Sequence, residues 1–150
     1  RTMPNTPALV GEGMTALCRS ETVSEDELKS VRALFDSFGK TETVAEYMMD
    51  AVVAVAGSSP AYVFMLIEAM ADAAVMGGIP RSSAYTFAAQ AVLGSAKMVL
   101  ETGKHPGELK DMVCSPAGTT IEAVRVLERD GFRSSIIEAM DACIKKSKSL

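Results

Sequence analysis

The sequence predicts a mainly α-helical protein with a short β-containing segment at its N-terminal end. Aromatic residues make up only 5% of the 150 residues and Trp is absent, whereas Ala and Met are abundant, a composition that favours helices over strands. Apolar residues also recur at spacings of three or four along most of the chain. Finally, Ser, Thr, Pro and Gly residues stand where helices typically begin and end.

Residues 1–21 differ in pattern from the rest of the chain. Pro4 and Pro7 argue against a helix there, and the run Met14–Cys18 reads as a short strand. We expect this segment to be the trailing edge of a sheet domain. The chain begins at Arg1 rather than Met, so we also expect it to be a fragment of a longer protein.

The first helix is predicted from a capping box. Ser24 can accept a hydrogen bond from one unpaired N–H while Glu27 reaches back to another, and Gly39 is placed to end the helix. Its apolar face is formed by Leu28, Val31, Leu34, Phe35 and Phe38. A strand over Thr41–Tyr47 would extend the sheet segment to about residue 47, and a short buried helix is expected over Met48–Ala56.

Two long apolar helices follow and carry the argument for assembly. The first begins at Ser59 and Pro60 and ends at Gly77, and the second runs from Arg81 to Gly103. Both are apolar over much of their circumference, so each must be buried on more than one side. We therefore predict an obligate homodimer or larger homo-oligomer. In the alternative, the shorter helices cover these two within a monomer.

Three shorter helices complete a helical domain that we assign to residues 22–150. One begins at Pro106, and the loop Cys114–Thr119 separates it from the next. Thr119–Glu122 repeats the capping-box pattern and opens a helix that ends near Arg129. A last amphipathic helix is expected over residues 132–146.

Charge, cysteine and hydropathy patterns exclude several functions. A net charge of −4 does not suit nucleic acid, and the basic cluster at Lys145, Lys146 and Lys148 is that of a solvated helix end. Three well-separated cysteines and a single histidine predict neither a disulfide framework nor a metal site. With no run of about 18 uncharged apolar residues, we expect no membrane contact and a cytoplasmic location.

The loop between the first two of these three shorter helices is the candidate binding site. It combines the hydroxyls of Ser115, Thr119 and Thr120 with Gly118, where a ligand can approach the backbone closely. A helix starts directly after the loop, and the free N–H groups of a helix start attract anions such as carboxylates. The alternative is an ordinary capped helix start.

The run from Pro106 to Thr120 resembles the signature of the pyrroline-5-carboxylate reductase family. Met3–Pro7, Ser58–Tyr62 and Gly131–Arg133 are similar to further segments of that family, so the resemblance covers essentially the whole chain. Two departures stand out: Ser59 replaces a usual glycine, and Ala117 replaces the first of two loop glycines.

The resemblance implies an activity and a fold. The family reduces the C=N bond of 1-pyrroline-5-carboxylate to L-proline, the last step of proline biosynthesis, with NADPH or NADH as the hydride donor. It combines an N-terminal Rossmann domain with an all-helical dimerisation domain of the 6-phosphogluconate-dehydrogenase C-terminal type. This oxidoreductase fold would place the short N-terminal segment at the end of the Rossmann domain.

The resemblance also assigns site residues. Those implied to bind the substrate are Ser115, Gly118, Thr119 and Thr120, with Thr120 also a candidate catalytic residue near the ring nitrogen. Those implied to lie near the nicotinamide of NADP or NAD are Pro4, Asn5 and Thr6.

Two considerations limit what this chain is expected to do. It has no G-x-G-x-x-G fingerprint, and we expect no βαβ unit, so we predict that it does not turn over alone. A non-catalytic helical dimerisation module is the main alternative. A hydroxy-acid dehydrogenase with Lys110 as its catalytic lysine is a third.

Overall fold

The computed structural model describes residues 1–150 and is mainly helical, with a three-stranded sheet near the N-terminus, so the predicted fold class is confirmed. The strands are β1 (Thr2–Met3), β2 (Gly13–Leu17) and β3 (Gly39–Thr43). The helices are α1 (Glu25–Asp36), α2 (Met49–Val52), α3 (Ser59–Met76), α4 (Arg81–Thr102), α5 (Pro106–Val113), α6 (Thr119–Arg129) and α7 (Phe132–Ser147).

The chain divides into two compact units. The first, which we call the sheet unit, comprises Arg1–Val63 and Ile136–Leu150. The second, the helical unit, comprises Phe64–Ser135. The predicted domain division at residue 21, or at about 47, is a different partition and stays a prediction.

The sheet unit contains a βαβ arrangement that the sequence analysis did not expect. β1 pairs antiparallel with β2, and β2 pairs parallel with β3 in a register that sets Gly13 opposite Gly39. α1 makes the crossover between the two parallel strands. The expectation that no such unit could form is therefore wrong, because a short crossover helix suffices to reverse the chain.

Two local expectations for this unit are also wrong. Thr6–Val10 is a 3₁₀ helix with Pro7 in its first turn, where the missing proline N–H has no helical partner to lose. β3 spans Gly39–Thr43 instead of Thr41–Tyr47, because its pairing with β2 starts at Gly39. Glu46–Met48 then begins a helical run.

The capping box of α1 is confirmed. The Glu27 N–H donates to Ser24 Oγ at 3.3 Å, and the Ser24 N–H and hydroxyl donate to Glu27 Oε2 at 2.9 and 2.7 Å. These hydrogen bonds to Ser24, the side-chain bond foremost, lower the pKa of Glu27 from its ordinary value. α1 thus begins with two N–H groups, those of Ser24 and Glu27, satisfied by side chains.

The core of the sheet unit is small and contains both small and large apolar side chains. Its buried apolar residues are Ala16, Leu17, Cys18, Met49 and Ala54. The expected buried helix over residues 48–56 is α2 followed by a π-helical turn at Val53–Gly57, and only Met49 and Ala54 within it are buried. The expectation of a buried helix is therefore wrong for most of this run, and Val55, for example, is exposed.

The helical unit has almost no core of its own. Its buried apolar residues are three alanines: Ala71, Ala84 and Ala88. Its exposed large apolar residues include Phe64, Met65, Leu66, Met76, Phe87, Leu93, Met98 and Leu100. The continuous helical run Glu46–Met76, which begins in the sheet unit, is by length and composition alone also long and apolar enough to cross a membrane.

Candidate functional site

The loop between α5 and α6 is closed by a tight turn. The Gly118 N–H donates to the Ser115 carbonyl oxygen at 3.0 Å. A Cβ placed on Gly118 would lie 2.3 Å from Ser115 Oγ, so the serine hydroxyl lies directly against the glycine backbone. A side chain at position 118 would thus displace the Ser115 hydroxyl, which lies beside the start of α6.

The start of α6 is open, contrary to the predicted capping box. Gly118 is the N-cap residue and Thr119 the first helical residue, and no side chain caps the helix. Glu122 does not reach back, because its carboxylate accepts from Arg125 Nε at 2.9 Å instead. The first N–H groups of α6 are thus left available, as an anion site requires.

The hydroxyl groups around this helix start are also free of internal partners. Ser115 and Thr119 are exposed and Thr120 is half-buried. None of the three makes a side-chain hydrogen bond to another group of the chain. The structure therefore gathers the four residues named for substrate binding, Gly118 included, into one turn of chain with unused donors.

Ala117 is one of the two positions at which the chain departs from the family pattern. It adopts a left-handed backbone with φ of +56°, the one non-glycine residue in the chain with a positive φ. This conformation costs an ordinary residue roughly 1–2 kcal/mol relative to the right-handed region. A glycine at this position, as the family usually has, would carry no such cost.

Ser59 is the second departure, and the chain accommodates its side chain without strain. Its hydroxyl donates to the Val55 carbonyl oxygen at 2.7 Å, within the helical run that leads into α3. The added side chain is therefore absorbed by a local hydrogen bond.

A cavity of about 520 Å³ lies elsewhere in the helical unit. It is lined by residues of α5, α6 and α7, among them Lys110, Leu127, Glu128 and Arg133, and not by the loop. Lys110 pairs with Asp111, and this hydrogen bond raises the pKa of its ammonium group above the ordinary value. A catalytic lysine that exchanges protons needs the opposite shift, which weighs against the hydroxy-acid dehydrogenase alternative.

The three residues predicted to lie near a nicotinamide occupy the sheet unit. Pro4, Asn5 and Thr6 line an open cavity of about 480 Å³ together with Phe38 and Gly57. Pro4 and Thr6 are exposed, whereas Asn5 is half-buried. The two sets of predicted site residues thus belong to different units of the chain.

The side chain of Asn5 is already engaged. Its Oδ1 accepts from the Met14 N–H at 2.8 Å, and its Nδ2 donates to the Ala56 carbonyl oxygen at 3.1 Å. This role is not predictable from local sequence, because the second partner is 51 residues away. The only signal in the sequence is Pro60, whose missing N–H leaves the Ala56 carbonyl without its usual helical donor.

A glycine pattern in the sheet unit is not a dinucleotide site. Gly11, Gly13 and Ala16 have the spacing of the G-x-G-x-x-A variant, but this stretch opens β2 instead of a helix. Pyrophosphate binding by that motif needs a helix N-terminus directly after the glycines. Nor is any group of three or more His, Cys, Asp or Glu side chains placed to hold a metal ion.

Comparison with known proteins gives consistent matches. The family model for pyrroline-5-carboxylate reductase dimerisation matches residues 46–150. Over all 150 residues, the chain is 65% identical to the pyrroline-5-carboxylate reductase of Escherichia coli strain K12 and 51% identical to that of a Synechocystis species. It covers 56% of each of these relatives, so it spans about half of their length.

Solved structures agree with the sequence matches. The chain resembles a pyrroline-5-carboxylate reductase from Coxiella burnetii with a TM-score of 0.95 and 37% identity, over 99% of this chain and 56% of that one. It resembles the Plasmodium falciparum pyrroline carboxylate reductase, solved with NADP bound, with a TM-score of 0.91 and 36% identity, over 99% of this chain and 60% of that one.

Proposed function

The chain belongs to the pyrroline-5-carboxylate reductase dimerisation family, and from this premise we propose that it is the substrate-binding and dimerisation part of an NAD(P)H-dependent oxidoreductase. The whole enzyme would reduce 1-pyrroline-5-carboxylate to L-proline. The observation that carries this proposal is the open start of α6, with three free hydroxyls beside it.

The substrate carboxylate would bind at this helix start. The N–H groups of Thr119 and Thr120 are unpaired because the N-cap is a glycine. Hydrogen bonds from N–H groups to a carboxylate are charge-assisted, and the positive end of the helix dipole adds to them. Ser115, held against Gly118, would add a hydroxyl donor from the side of the loop.

Holding the carboxylate leaves little further chemistry for the protein. A cyclic imine is basic enough to be substantially protonated near neutral pH, which makes its carbon electrophilic. A bound NADPH or NADH supplies the hydride. Thr120, half-buried one residue into α6, would hydrogen-bond the ring nitrogen and hold its proton. Catalysis by this chain is then mainly positioning.

The exposed faces of Pro4 and Thr6 fit contact with a nicotinamide. They border an open and largely apolar cavity, which suits one face of a flat ring. We place the pyrophosphate-binding part of the cofactor site outside these 150 residues, since the one glycine pattern in the chain opens a strand. This chain alone would therefore not turn over.

A second copy of the chain is the proposed cover for the helical unit. The chain exposes 10484 Å², whereas a compact monomer of its mass would expose about 7,300 Å². The excess of roughly 3,000 Å² per chain, or about 6,000 Å² over two chains, is at the upper end of the total area that obligate homodimers bury. The match of residues 46–150 to a dimerisation family favours a partner chain over a membrane as the cover for the apolar run Glu46–Met76. We therefore propose a homodimer, or an assembly of such dimers, in the cytoplasm.

The test is an assay of the intact gene product with 1-pyrroline-5-carboxylate and NADPH. We expect the wild type to be active and Thr120→Ala to lose about ten-fold or more in kcat/KM, equivalent to about 1.4 kcal/mol. Thr22→Ala, an exposed threonine in the sheet unit, is the matched control and should retain activity.

The other outcomes are equally informative. Equal activity of wild type and Thr120→Ala would keep the reductase and remove Thr120 from its mechanism. Inactivity of the wild type would reject the reductase and leave a helical dimerisation module.

A further inference from the structure

The helical run into α3 contains one carbonyl that its own helix cannot satisfy. In an α-helix, the carbonyl of Ala56 would accept from the N–H of the residue four positions later. That residue is Pro60, which has no N–H. The π-helical turn Val53–Gly57 does not solve the problem, because the next N–H, that of Ala61, donates to Ser58 at 3.1 Å.

The side chain of Asn5 provides the missing donor. Its Nδ2 lies 3.1 Å from the Ala56 carbonyl oxygen, and its Oδ1 accepts from the Met14 N–H at 2.8 Å. Both ends of the amide are thus used, and both bonds are partly buried. The asparagine amide thus supplies both the donor and the acceptor that this position uses.

The side chain of Met3, two residues before Asn5, also packs against the turn that contains Ala56 and Gly57. A Cβ added to Gly57 would lie 2.7 Å from Met3 Cε, so Met3 fills the space beside the glycine. The segment is therefore tied down at Met3 and at Asn5. Pro4 and Thr6, on either side of Asn5, remain exposed.

From this arrangement we propose that Asn5 is a positioning residue. Its amide fixes the segment Pro4–Thr6 on the Ala56 carbonyl, so that Pro4 and Thr6 present a preset surface to the nicotinamide. Asn5 itself does not contact the cofactor. This inference rests on the proposed function, and it replaces direct cofactor contact by Asn5 with an indirect role through its neighbours.

The substitution Asn5→Asp isolates the donor half of the amide. Aspartate keeps the acceptor for the Met14 N–H but sets a carboxylate oxygen against the Ala56 carbonyl, so two acceptors face each other. Pro60→Ala offers an internal remedy, because alanine at position 60 has an N–H that the Ala56 carbonyl can accept. The two changes together form a double-mutant cycle.

The experiment uses the intact enzyme and two measurements, the melting temperature and the dissociation constant for NADPH from fluorescence titration. We expect Asn5→Asp to lower the melting temperature by several degrees and to weaken NADPH binding by about five-fold or more. In Asn5→Asp/Pro60→Ala the melting temperature should recover by at least about half. NADPH binding should stay weak in the double variant, because the segment is still detached.

Other results would overturn the proposal. NADPH binding unchanged in Asn5→Asp would make the bond purely structural. A melting temperature that Pro60→Ala does not restore would remove the unsatisfied carbonyl from the explanation. If the wild type binds NADPH but does not reduce the imine, the proposed reductase fails while both measurements still decide the role of Asn5. A wild type that does not bind NADPH would reject both.

Discussion

The two units of this chain solve the problem of burial in different ways. The sheet unit pairs its strands and buries Leu17, Met49 and Cys18. The helical unit buries only alanines and exposes most of its large apolar side chains. A methyl group contributes little transfer free energy, so the helical unit cannot be stable through its own contacts. The difference supports the proposal that the sheet unit folds within the chain and the helical unit folds against a second copy.

The same contrast holds for two helix starts. α1 begins in the sheet unit with a complete capping box, whereas α6 begins in the helical unit with a glycine and no cap. The capping box of α1 engages two of its N–H groups with side chains, whereas no side chain engages any at the start of α6. The contrast supports the proposal that the ligand binds in the unit whose own structure leaves hydrogen bonds unmade.

The largest effect should come from placing a charge on the apolar surface of the helical unit. Leu93, in the middle of α4, is 53% exposed. Burying a leucine contributes about 1.5–3 kcal/mol, and a twofold interface contains each residue twice. We expect Leu93→Asp to weaken the dimer by at least about a hundred-fold, measured by sedimentation velocity over a range of concentrations.

Leu34 in α1 is the matched control in the sheet unit, with 63% of its surface exposed. Leu34→Asp should leave the dimer affinity unchanged, since α1 lies outside the residues matched by the dimerisation family. Equal weakening by both variants would show that the difference between the units does not decide assembly.

A moderate effect is expected at the capped helix. Ser24→Ala removes the cap hydroxyl and should destabilise the sheet unit by about 1 kcal/mol near neutral pH, measured by urea unfolding. The lowered pKa of Glu27 means that its contribution is complete above pH 4.5, the ordinary value, and is lost as the pH falls through the lowered one. The difference between Ser24→Ala and the wild type should therefore narrow in acid. If the difference in unfolding free energy between Ser24→Ala and the wild type does not change with pH, Glu27 does not contribute to the cap.

The smallest effect should be found in the loop between α5 and α6. Ala117→Gly relieves the left-handed backbone, worth roughly 1–2 kcal/mol, but adds flexibility that costs about 0.5–1 kcal/mol. We expect a slight gain in melting temperature. Ala123→Gly, inside α6, is the control of opposite sign and should lower it. A loss of stability in both variants would contradict the strain assigned to Ala117.

Local signals predicted the helices well. Pro60, Pro80 and Pro106 mark the starts of α3, α4 and α5 to within a residue, because proline acts on the backbone next to it. The parallel pairing of β2 with β3 escaped prediction, since it depends on residues about 26 positions apart. Non-local pairing leaves no short-range pattern in a sequence.

The candidate site was predictable in composition but not in detail. The hydroxyls and the glycine of the loop could be named from the sequence, and the structure brings them together. That Glu122 would turn to Arg125 and leave α6 uncapped depends on a choice between two partners at similar distance along the helix. The second partner of Asn5 could be found only in three dimensions.

Because the helical unit buries only three alanines of its own, its stability should depend on the protein concentration as well as on the sequence. Folding that requires a second copy obeys mass action, and each ten-fold dilution lowers the free energy that favours the assembled state by about 1.4 kcal/mol of dimer. If the helical unit folds against a second copy, as proposed, a newly made chain must meet its partner before its helices are stable. The rate of synthesis and the rate of encounter then set how much of the protein is folded.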